Sequence, residues 1–483
     1  MIRSILYTAV NVSASFCLVL AVSMLIPMAV DLHDGHPDWQ AFLASALIVG
    51  TLSLLAFVAT RGRVEPFSLR LGFLVVNLLW ASTSLAAALP FILCELHLPL
   101  ADAVFEAVSG LTTTGSTVIT GLDGMPRGIL LWRSLTQLIG GIGIIAVGLL
   151  LMPFLRIGGM QIFRMESSTK GDSPTPRFAE FTFVLTMIYV GLTVACAVCY
   201  MLAGMDVFDS INHAMTTVST AGFGTHDNSF GSYGAPVLIV SIVFMIAGAL
   251  PFIALVRAVV MKDIRRALDP QIPVLLGLLA VLSGLMATGL IVAGFGDPGQ
   301  ALLHSAFNIV SIVTTSGFSS TDYLTWGTHA TGVFFLAMFF GGCAGSTTGG
   351  LKTYRLIVMY ETARTSLKEL IYPNGVFVVR YDGAVVSDET IRSMAVFLAA
   401  FFTVFLIGSA GLSLLGLDFV SALSGTLTAL TNTGPGLGSI IGPAGNFSSL
   451  PEAAKWLLSL VMLLGRLEIL TVLVLLNPAF WRS

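Results

Sequence analysis

Thr112-Thr113-Thr114-Gly115-Ser116 closes a short, moderately apolar segment and stands ahead of a long apolar one, and the chain repeats this arrangement three more times. The later copies are Ser219-Thr220-Ala221-Gly222-Phe223, Thr314-Thr315-Ser316-Gly317-Phe318 and Thr431-Asn432-Thr433-Gly434-Pro435. Successive glycines lie 107, 95 and 117 residues apart, about one helical hairpin with its loop each time. A single Thr-Thr-x-Gly says little, because Thr and Gly are common wherever helices pack closely. Four copies at the same place in four hairpins carry far more. A dehydrated cation needs oxygens on all sides, and four backbone segments around an axis supply them. Glycine reaches φ values that other residues avoid, so consecutive carbonyls can turn toward that axis. The pattern predicts a four-repeat cation pore.

Composition agrees with a membrane setting. Of 483 residues, 55% are hydrophobic and 10% charged, with a mean hydropathy of +0.92; a soluble domain carries roughly a quarter charged residues. The five cysteines fall in or beside apolar stretches, and Cys196 and Cys199 form a lone CxxC inside a helix-length apolar run, which suits packing rather than metal or redox work. The histidines show no metal-ligand spacing. No clustered His, Asp and Glu constellation appears, so no catalytic residues and no enzyme activity are expected.

Spanning helices need about 20 mostly apolar residues. Ten such runs occur, near 5–30, 41–60, 69–93, 129–155, 178–203, 235–260, 272–295, 330–358, 391–416 and 454–477. Within each of the last four pairs lies a stretch holding one glycine motif, opening near Asp102, Asp206 with Asp209, Asp297 or Asp418. Aspartate suits a helix N-terminus, so each stretch predicts a re-entrant half-helix. Nineteen of the 23 basic residues lie at the termini or in the loops after spans two, four, six and eight: Arg3, Arg61, Arg63, Arg70, Arg156, Arg164, Lys170, Arg177, Arg257, Lys262, Arg265, Arg266, Lys352, Arg355, Arg364, Lys368, Arg380, Arg392 and Arg482. The positive-inside rule then puts both termini in the cytoplasm and all four motifs toward the outside.

Three further features stand out. The run Gly341-Gly342-Cys343-Ala344-Gly345-Ser346-Thr347-Thr348-Gly349-Gly350 interrupts an apolar stretch, and such backbone is tolerated at membrane depth only where protein buries it or water reaches it. Arg466 lies eleven residues beyond Lys455 in the last span, roughly 16 Å along a helix, where a lone arginine costs about 2.5–3.5 kcal/mol. Glu468 is close in sequence, but i and i+2 do not face each other on a helix. Finally, two β-rich runs meet at Asp382-Gly383, a hairpin signal in the longest basic loop.

The motifs, the 341–350 run and Gly465-Arg466-Leu467-Glu468 together resemble the bacterial Trk/Ktr potassium-uptake family, and within it most closely the TrkH-type membrane subunit. The resemblance covers nearly the whole chain and implies an all-α polytopic protein of ten transmembrane helices. It implies a two-helix extension at 1–64 and membrane–pore–membrane repeats at 65–170, 171–267, 268–375 and 376–483. Each repeat of that family keeps only the first glycine of the potassium-channel signature. Potassium-binding filter residues are thereby implied at Thr113, Thr114 and Gly115; Thr220, Ala221 and Gly222; Thr315, Ser316 and Gly317; and Asn432, Thr433 and Gly434. Related plant transporters with serine at the first glycine favour sodium, so Gly115 implies potassium. A gate is implied at Gly345, Ser346, Thr347, Thr348, Gly349 and Gly350, with Arg466 projecting into the cavity below the filter. The family also implies potassium uptake across the bacterial inner membrane, a homodimer in the lipid bilayer, and a cytosolic TrkA-type ring facing the hairpin. ATP/ADP or NAD(H) is expected only on that partner; no covalent cofactor and no nucleic acid are expected. The rival is a proton- or sodium-coupled symporter, which would also break helices mid-membrane. It would show two-part repetition and use an acid such as Glu106 or Glu468.

Overall fold

The structure, a computed structural model, describes residues 2–62, 68–155, 174–259 and 268–482. Helices α1 (Ile2–Ser23), α2 (Leu25–Asp34) and α3 (Trp39–Thr60) form the N-terminal extension. It is tied to itself by Asn11, whose Nδ2 donates to the Phe57 carbonyl at 3.2 Å and to Thr60 Oγ1 at 2.9 Å. Asp31 ties it to the rest by accepting the Gly128 N–H at 2.7 Å.

Four helix–pore helix–helix units follow. The first is α4 (Leu69–Leu93), α5 (Leu100–Leu111) and α6 (Arg127–Leu155). The second is α7 (Pro174–Leu202), α8 (Val207–Val218), α9 (Ala235–Ala249) and α10 (Phe252–Val259). The third is α11 (Gln271–Val292), α12 (Pro298–Val313), α13 (Thr328–Ala337) and α14 (Thr353–Ile371). The fourth is α15 (Asp388–Leu414), α16 (Phe419–Thr431), α17 (Glu452–Arg466) and α18 (Ile469–Leu476). Pore helices α5, α8, α12 and α16 have 12, 12, 16 and 13 residues, too short to cross a bilayer.

Aspartate caps three of them as expected: Asp206 accepts from Phe208 N, Asp297 from Gly299 N and Asp418 from Ser421 N, at 3.0–3.1 Å. Asp102 does not cap. Pro99 holds the N-cap of α5, and Asp102 takes the Lys455 ammonium at 2.6 Å, joining repeat 1 to repeat 4. Asp209 also has another role, described below.

Three of the predicted spans are sharply interrupted, beyond the slight break at Met24 between α1 and α2. α9 and α10 meet at 99° at Leu250-Pro251, where proline supplies no N–H and clashes with the preceding turn. α17 and α18 meet at 111°, with Glu468 at φ 60° between them. α13 and α14 are separated by the glycine-rich run, closed at its neck by Gly341 N–H to the Leu351 carbonyl (3.0 Å) and Leu351 N–H to the Phe339 carbonyl (3.1 Å). Six helices among the described residues are long and apolar enough to cross a membrane, or eight with the two bent pairs. The 29-residue α6 and the interrupted α13–α14 occupy the other two expected positions. The hairpin at Asp382-Gly383 forms as β1 (Arg380–Tyr381) and β2 (Ala384–Val385), shorter than its β-rich flanks. It is anchored by Tyr381 Oη, which donates to Asp269 at 2.7 Å, and by its ring against Tyr354. Arg63, Arg156, Arg164, Lys170, Lys262, Arg265 and Arg266 lie outside the described residues, as do the expected boundaries at 64/65 and 170/171.

A buried ion pair within repeat 1 holds the arginine that reaches repeat 2. Arg133 Nε of α6 meets Glu106 Oε1 of α5 at 2.8 Å, with both side chains at most 1% exposed. Glu106 also accepts from Thr117 Oγ1 and Val118 N, while Arg133 donates to the Gly224 carbonyl at 2.8 Å and lies 4.2 Å from the Phe223 ring centre. Removing one partner leaves the other charge buried, which costs about 3–5 kcal/mol. Glu106→Gln is therefore expected to lower the thermal midpoint of the detergent-purified protein sharply. Arg127→Gln, at an exposed 3.9 Å pair with Asp34, should change stability by less than about 1 kcal/mol. Equal midpoints for the two variants would contradict the brace.

Candidate functional site

Each pore helix ends in the same backbone turn. The residue two before the glycine is left-handed in every copy: Thr113 φ 53°, Thr220 φ 51°, Thr315 φ 55° and Asn432 φ 55°. Asparagine tolerates this region, but β-branched threonine enters it only when its surroundings demand it. The demand is a Schellman closure. Thr113 N–H donates to the Gly110 carbonyl at 3.0 Å and Thr114 N–H to the Ser109 carbonyl at 2.8 Å, with the same pairs at 220/217 and 221/216, 315/312 and 316/311, and 432/429 and 433/428. The glycines then follow at φ 87°, 84°, 76° and 110°. The sequence pointed to glycine alone as the special backbone position; the structure adds the residue two before it.

The four glycines close a ring. A β-carbon on Gly115 would strike the carbonyl oxygen of Ala221; on Gly222, that of Ser316; on Gly317, that of Thr433. On Gly434 it would meet the Thr114 carbonyl oxygen at 2.8 Å, returning the cycle to repeat 1. All four glycines line one cavity of about 260 Å³ that opens among the loops after the motifs. Behind the ring, hydroxyl pairs join Thr112 to Thr114 (2.7 Å), Thr314 to Ser316 (2.9 Å) and Thr431 to Thr433 (2.8 Å). Asn432 departs from its threonine counterparts: its Nδ2 donates to Thr114 Oγ1 and to the Met462 carbonyl, both at 3.0 Å, tying repeat 4 to repeat 1.

The 341–350 run sits directly under this ring. Thr347 Oγ1 is 3.0 Å from Thr220 Oγ1, Gly349 N–H donates to Thr315 Oγ1 at 2.9 Å, and a β-carbon on Gly349 would strike the Thr431 carbonyl. Three of the four left-handed positions or their immediate neighbours thus touch the loop. Gly345, Ser346, Thr348, Gly349 and Gly350 line a small cavity of about 70 Å³ with Arg466. Arg466, 4% exposed, donates from Nη1 to the Thr347 carbonyl at 2.8 Å. Its Nε and Nη2 have no hydrogen-bond partner among the described residues. Glu468 pairs with Arg355 rather than Arg466. Arg355 and Lys352, grouped by sequence with the basic loop 351–392, are instead part of this floor. Arg355 lies 3.7 Å from the Phe397 ring centre, and Lys352 Nζ reaches the Thr348 carbonyl and, at 3.1 Å, its hydroxyl. Sequence reasoning missed Arg133, Gln137 and Lys352 as site residues. A glutamine in the middle of an apolar span was the available signal for Gln137.

At the open mouth, His226 bridges two repeats: Nδ1 lies 2.5 Å from Asp123 Oδ1 and Nε2 3.1 Å from Asp209 Oδ2. Tyr233 Oη donates to the same Asp209 oxygen at 2.9 Å, and Gly121 N–H donates to Asp227 at 3.0 Å.

Residues 36–483 match the sequence profile of TrkH, described as a cation transport protein. The chain belongs to the TrkH family. It is 44% identical over 481 residues to the Trk system potassium uptake protein TrkI of Halomonas elongata, covering 98% of this chain and 96% of that one. It is 35% identical over 470 residues to the Trk system potassium uptake protein TrkH of Escherichia coli K12, covering 95% and 96%. The crystal structure of the potassium transporter TrkH from Vibrio parahaemolyticus superposes with a TM-score of 0.91 at 32% identity, over 99% of this chain and 100% of that one. This TrkH-family chain is thus an all-α, multi-pass membrane transport protein and not an enzyme.

The mouth of this TrkH-family chain has a defined pH dependence. Burial disfavours a charged His226, but hydrogen bonds to Asp123 and Asp209 outweigh it and raise the imidazole above its ordinary 6.5. Asp123 is lowered from 3.8, chiefly by its hydrogen bond to His226. The histidine's contribution is full below its unfolded value and lost as pH rises through the raised folded value; the aspartate's is present above its unfolded value and lost as pH falls through the lowered one. The stability difference between wild type and His226→Gln should therefore be largest between about pH 4 and 6.5 and shrink toward pH 9. Thermal midpoints across that range measure it; a difference that grows with pH would contradict the bridge.

Proposed function

We propose that this chain takes potassium into the cell through the ring of main-chain carbonyls around Gly115, Gly222, Gly317 and Gly434. The observation that carries the reading is the closed cycle in which each glycine faces a carbonyl oxygen of the next repeat. Thr113, Thr114, Thr220, Ala221, Thr315, Ser316, Asn432 and Thr433 complete the filter by turning consecutive carbonyls toward the axis. The C-terminal ends of four pore helices, each carrying roughly half a negative charge, converge on it and favour a cation. The names of the relatives supply the ion: each is a potassium uptake protein of a Trk system. The distribution of basic loops supports cytoplasmic termini in an inner-membrane protein, with the ring toward the outside.

The loop Gly345–Gly350 with Arg466 forms the gate. Arg466 holds the Thr347 carbonyl while its remaining N–H groups place a positive charge beneath the ring, opposing cation passage. Two copies of the chain form the working dimer, and a cytosolic nucleotide-binding ring of the TrkA type acts on the gate through the loop that carries the 380–385 hairpin. The coupled-carrier alternative has less support, because Glu106 and Glu468 are each paired with an arginine.

Two outcomes test this reading. Gly222→Ala should reduce potassium uptake into proteoliposomes at least about tenfold, since its β-carbon would collide with the Ser316 carbonyl. Gly416→Ala is the control: φ is similarly positive at +94°, but nothing lies within 4 Å, so uptake should be retained. Equal effects at both sites would contradict the ring. Arg466→Ala should raise potassium flux in protein that elutes normally; unchanged or lower flux would remove Arg466 from the gate.

A further inference from the structure

The ring is four-fold in backbone but not in its support, and the exception is repeat 2. In repeats 1, 3 and 4 the residue before the glycine carries a hydroxyl (Thr114, Ser316, Thr433) paired with the threonine that ends the pore helix. Repeat 2 has Ala221 there, so the hydroxyl of Ser219, which donates to the carbonyl four residues back as Thr112, Thr314 and Thr431 do, finds no hydroxyl at the residue before the glycine. In place of the missing pair stands Gln137, fully buried on α6 of repeat 1. Its Nε2 donates to the Ala221 carbonyl at 2.8 Å and its Oε1 accepts from Phe223 N–H at 3.1 Å. Only this orientation of the amide satisfies both atoms.

We propose that Gln137 is a positioning residue for ion selection, fixing the Ala221 carbonyl in the ring through an amide that brackets Gly222 on both sides. The inference rests on the filter reading above. Ala221 contributes the oxygen that a β-carbon on Gly115 would strike, so the braced carbonyl is one of the four that close the cycle. A carbonyl has two acceptor sites; one is given to Gln137, which leaves the other for an ion and fixes its direction. One helical turn earlier, Arg133 holds the Gly224 carbonyl. Positions i and i+4 share a helix face, so this face of α6 holds the whole extended segment 221–224 from behind. Without Gln137, repeat 2 has neither a hydroxyl pair to stiffen its turn nor, among the described residues, a side-chain amide on the Ala221 carbonyl. Selection between ions depends on the number and placement of such oxygens, so preference for potassium should suffer more than throughput.

The experiment measures potassium and sodium uptake separately in proteoliposomes, for wild type, Gln137→Met, Gln137→Asn and Gln137→Met with Ala221→Ser. Methionine keeps the length without the polar atoms; asparagine keeps the amide but is one methylene too short to reach both. In either single variant the potassium-over-sodium preference should fall about tenfold while maximal potassium uptake stays within about threefold of wild type. Because each variant tests the same bracket, one that folds is sufficient. Ala221→Ser should recover part of the preference in the methionine background by giving Ser219 a hydroxyl partner. Unchanged preference, an equal loss of both ions, or no recovery would overturn the role of Gln137. A wild-type protein without potassium preference would overturn the filter reading itself, and this inference with it.

Discussion

Carbonyl oxygens of one repeat stand where β-carbons of the neighbouring repeat's glycine would be, and much of the surrounding architecture follows from that close approach. The approach requires glycine at one position and left-handed backbone two residues earlier. It also requires short helices that stop at a common depth. Three threonines held in that left-handed region are strained, and the strain persists because Schellman closure, hydroxyl pairs and buried polar contacts from neighbouring repeats over-determine the turn. Arg133 through the Gly224 carbonyl, Asn432 through Thr114 and the Lys455–Asp102 pair each join two repeats near the ring, so a single chain achieves the closure that separate subunits would otherwise provide.

Beneath the ring, the same logic sets the loop. Backbone without helical pairing survives at membrane depth only with internal partners. The 341–350 run finds them in Thr220, Thr315, Gly248 and Arg466. Its contacts reach the left-handed threonines themselves, so movement of the loop and geometry of the ring share atoms. Among the described residues, Arg466 is held by one hydrogen bond and keeps two donor nitrogens unpaired. That arrangement suits the proposed role of a removable barrier better than that of a structural tie.

Much of the fold was legible because two signals are local. Apolar runs of about 20 residues mark spans, and the glycine motif marks each pore turn. Pro251, Glu468 and the 341–350 run show what was harder. The run announced its break through composition, whereas the bends at Pro251 and Glu468 fall inside stretches that read as continuous apolar spans. Charge patterning misplaced residues that are buried. Lys352 and Arg355 count as loop cations by position, yet Arg355 is 4% exposed and both sit at the loop's foot, because their partners, Thr348 and Glu468, come together only in three dimensions. Asp102 shows the same limit: its sequence neighbourhood suggests a cap, while its partner is Lys455, 353 residues away. The proposed filter positions stand out by repetition and their supports do not, since Gln137 and Arg133 occur once each and belong to no repeated pattern.

The central claim is that an ion sits on the axis enclosed by the four glycines. Thallium or rubidium substitutes for potassium and is visible by anomalous scattering, so crystals of the protein grown with either ion measure this directly. The account predicts a peak on that axis, ringed by the carbonyl oxygens of Thr114, Ala221, Ser316 and Thr433 and lost when sodium replaces the heavier ion. An axis without a peak, with density bound elsewhere in the protein, would contradict it.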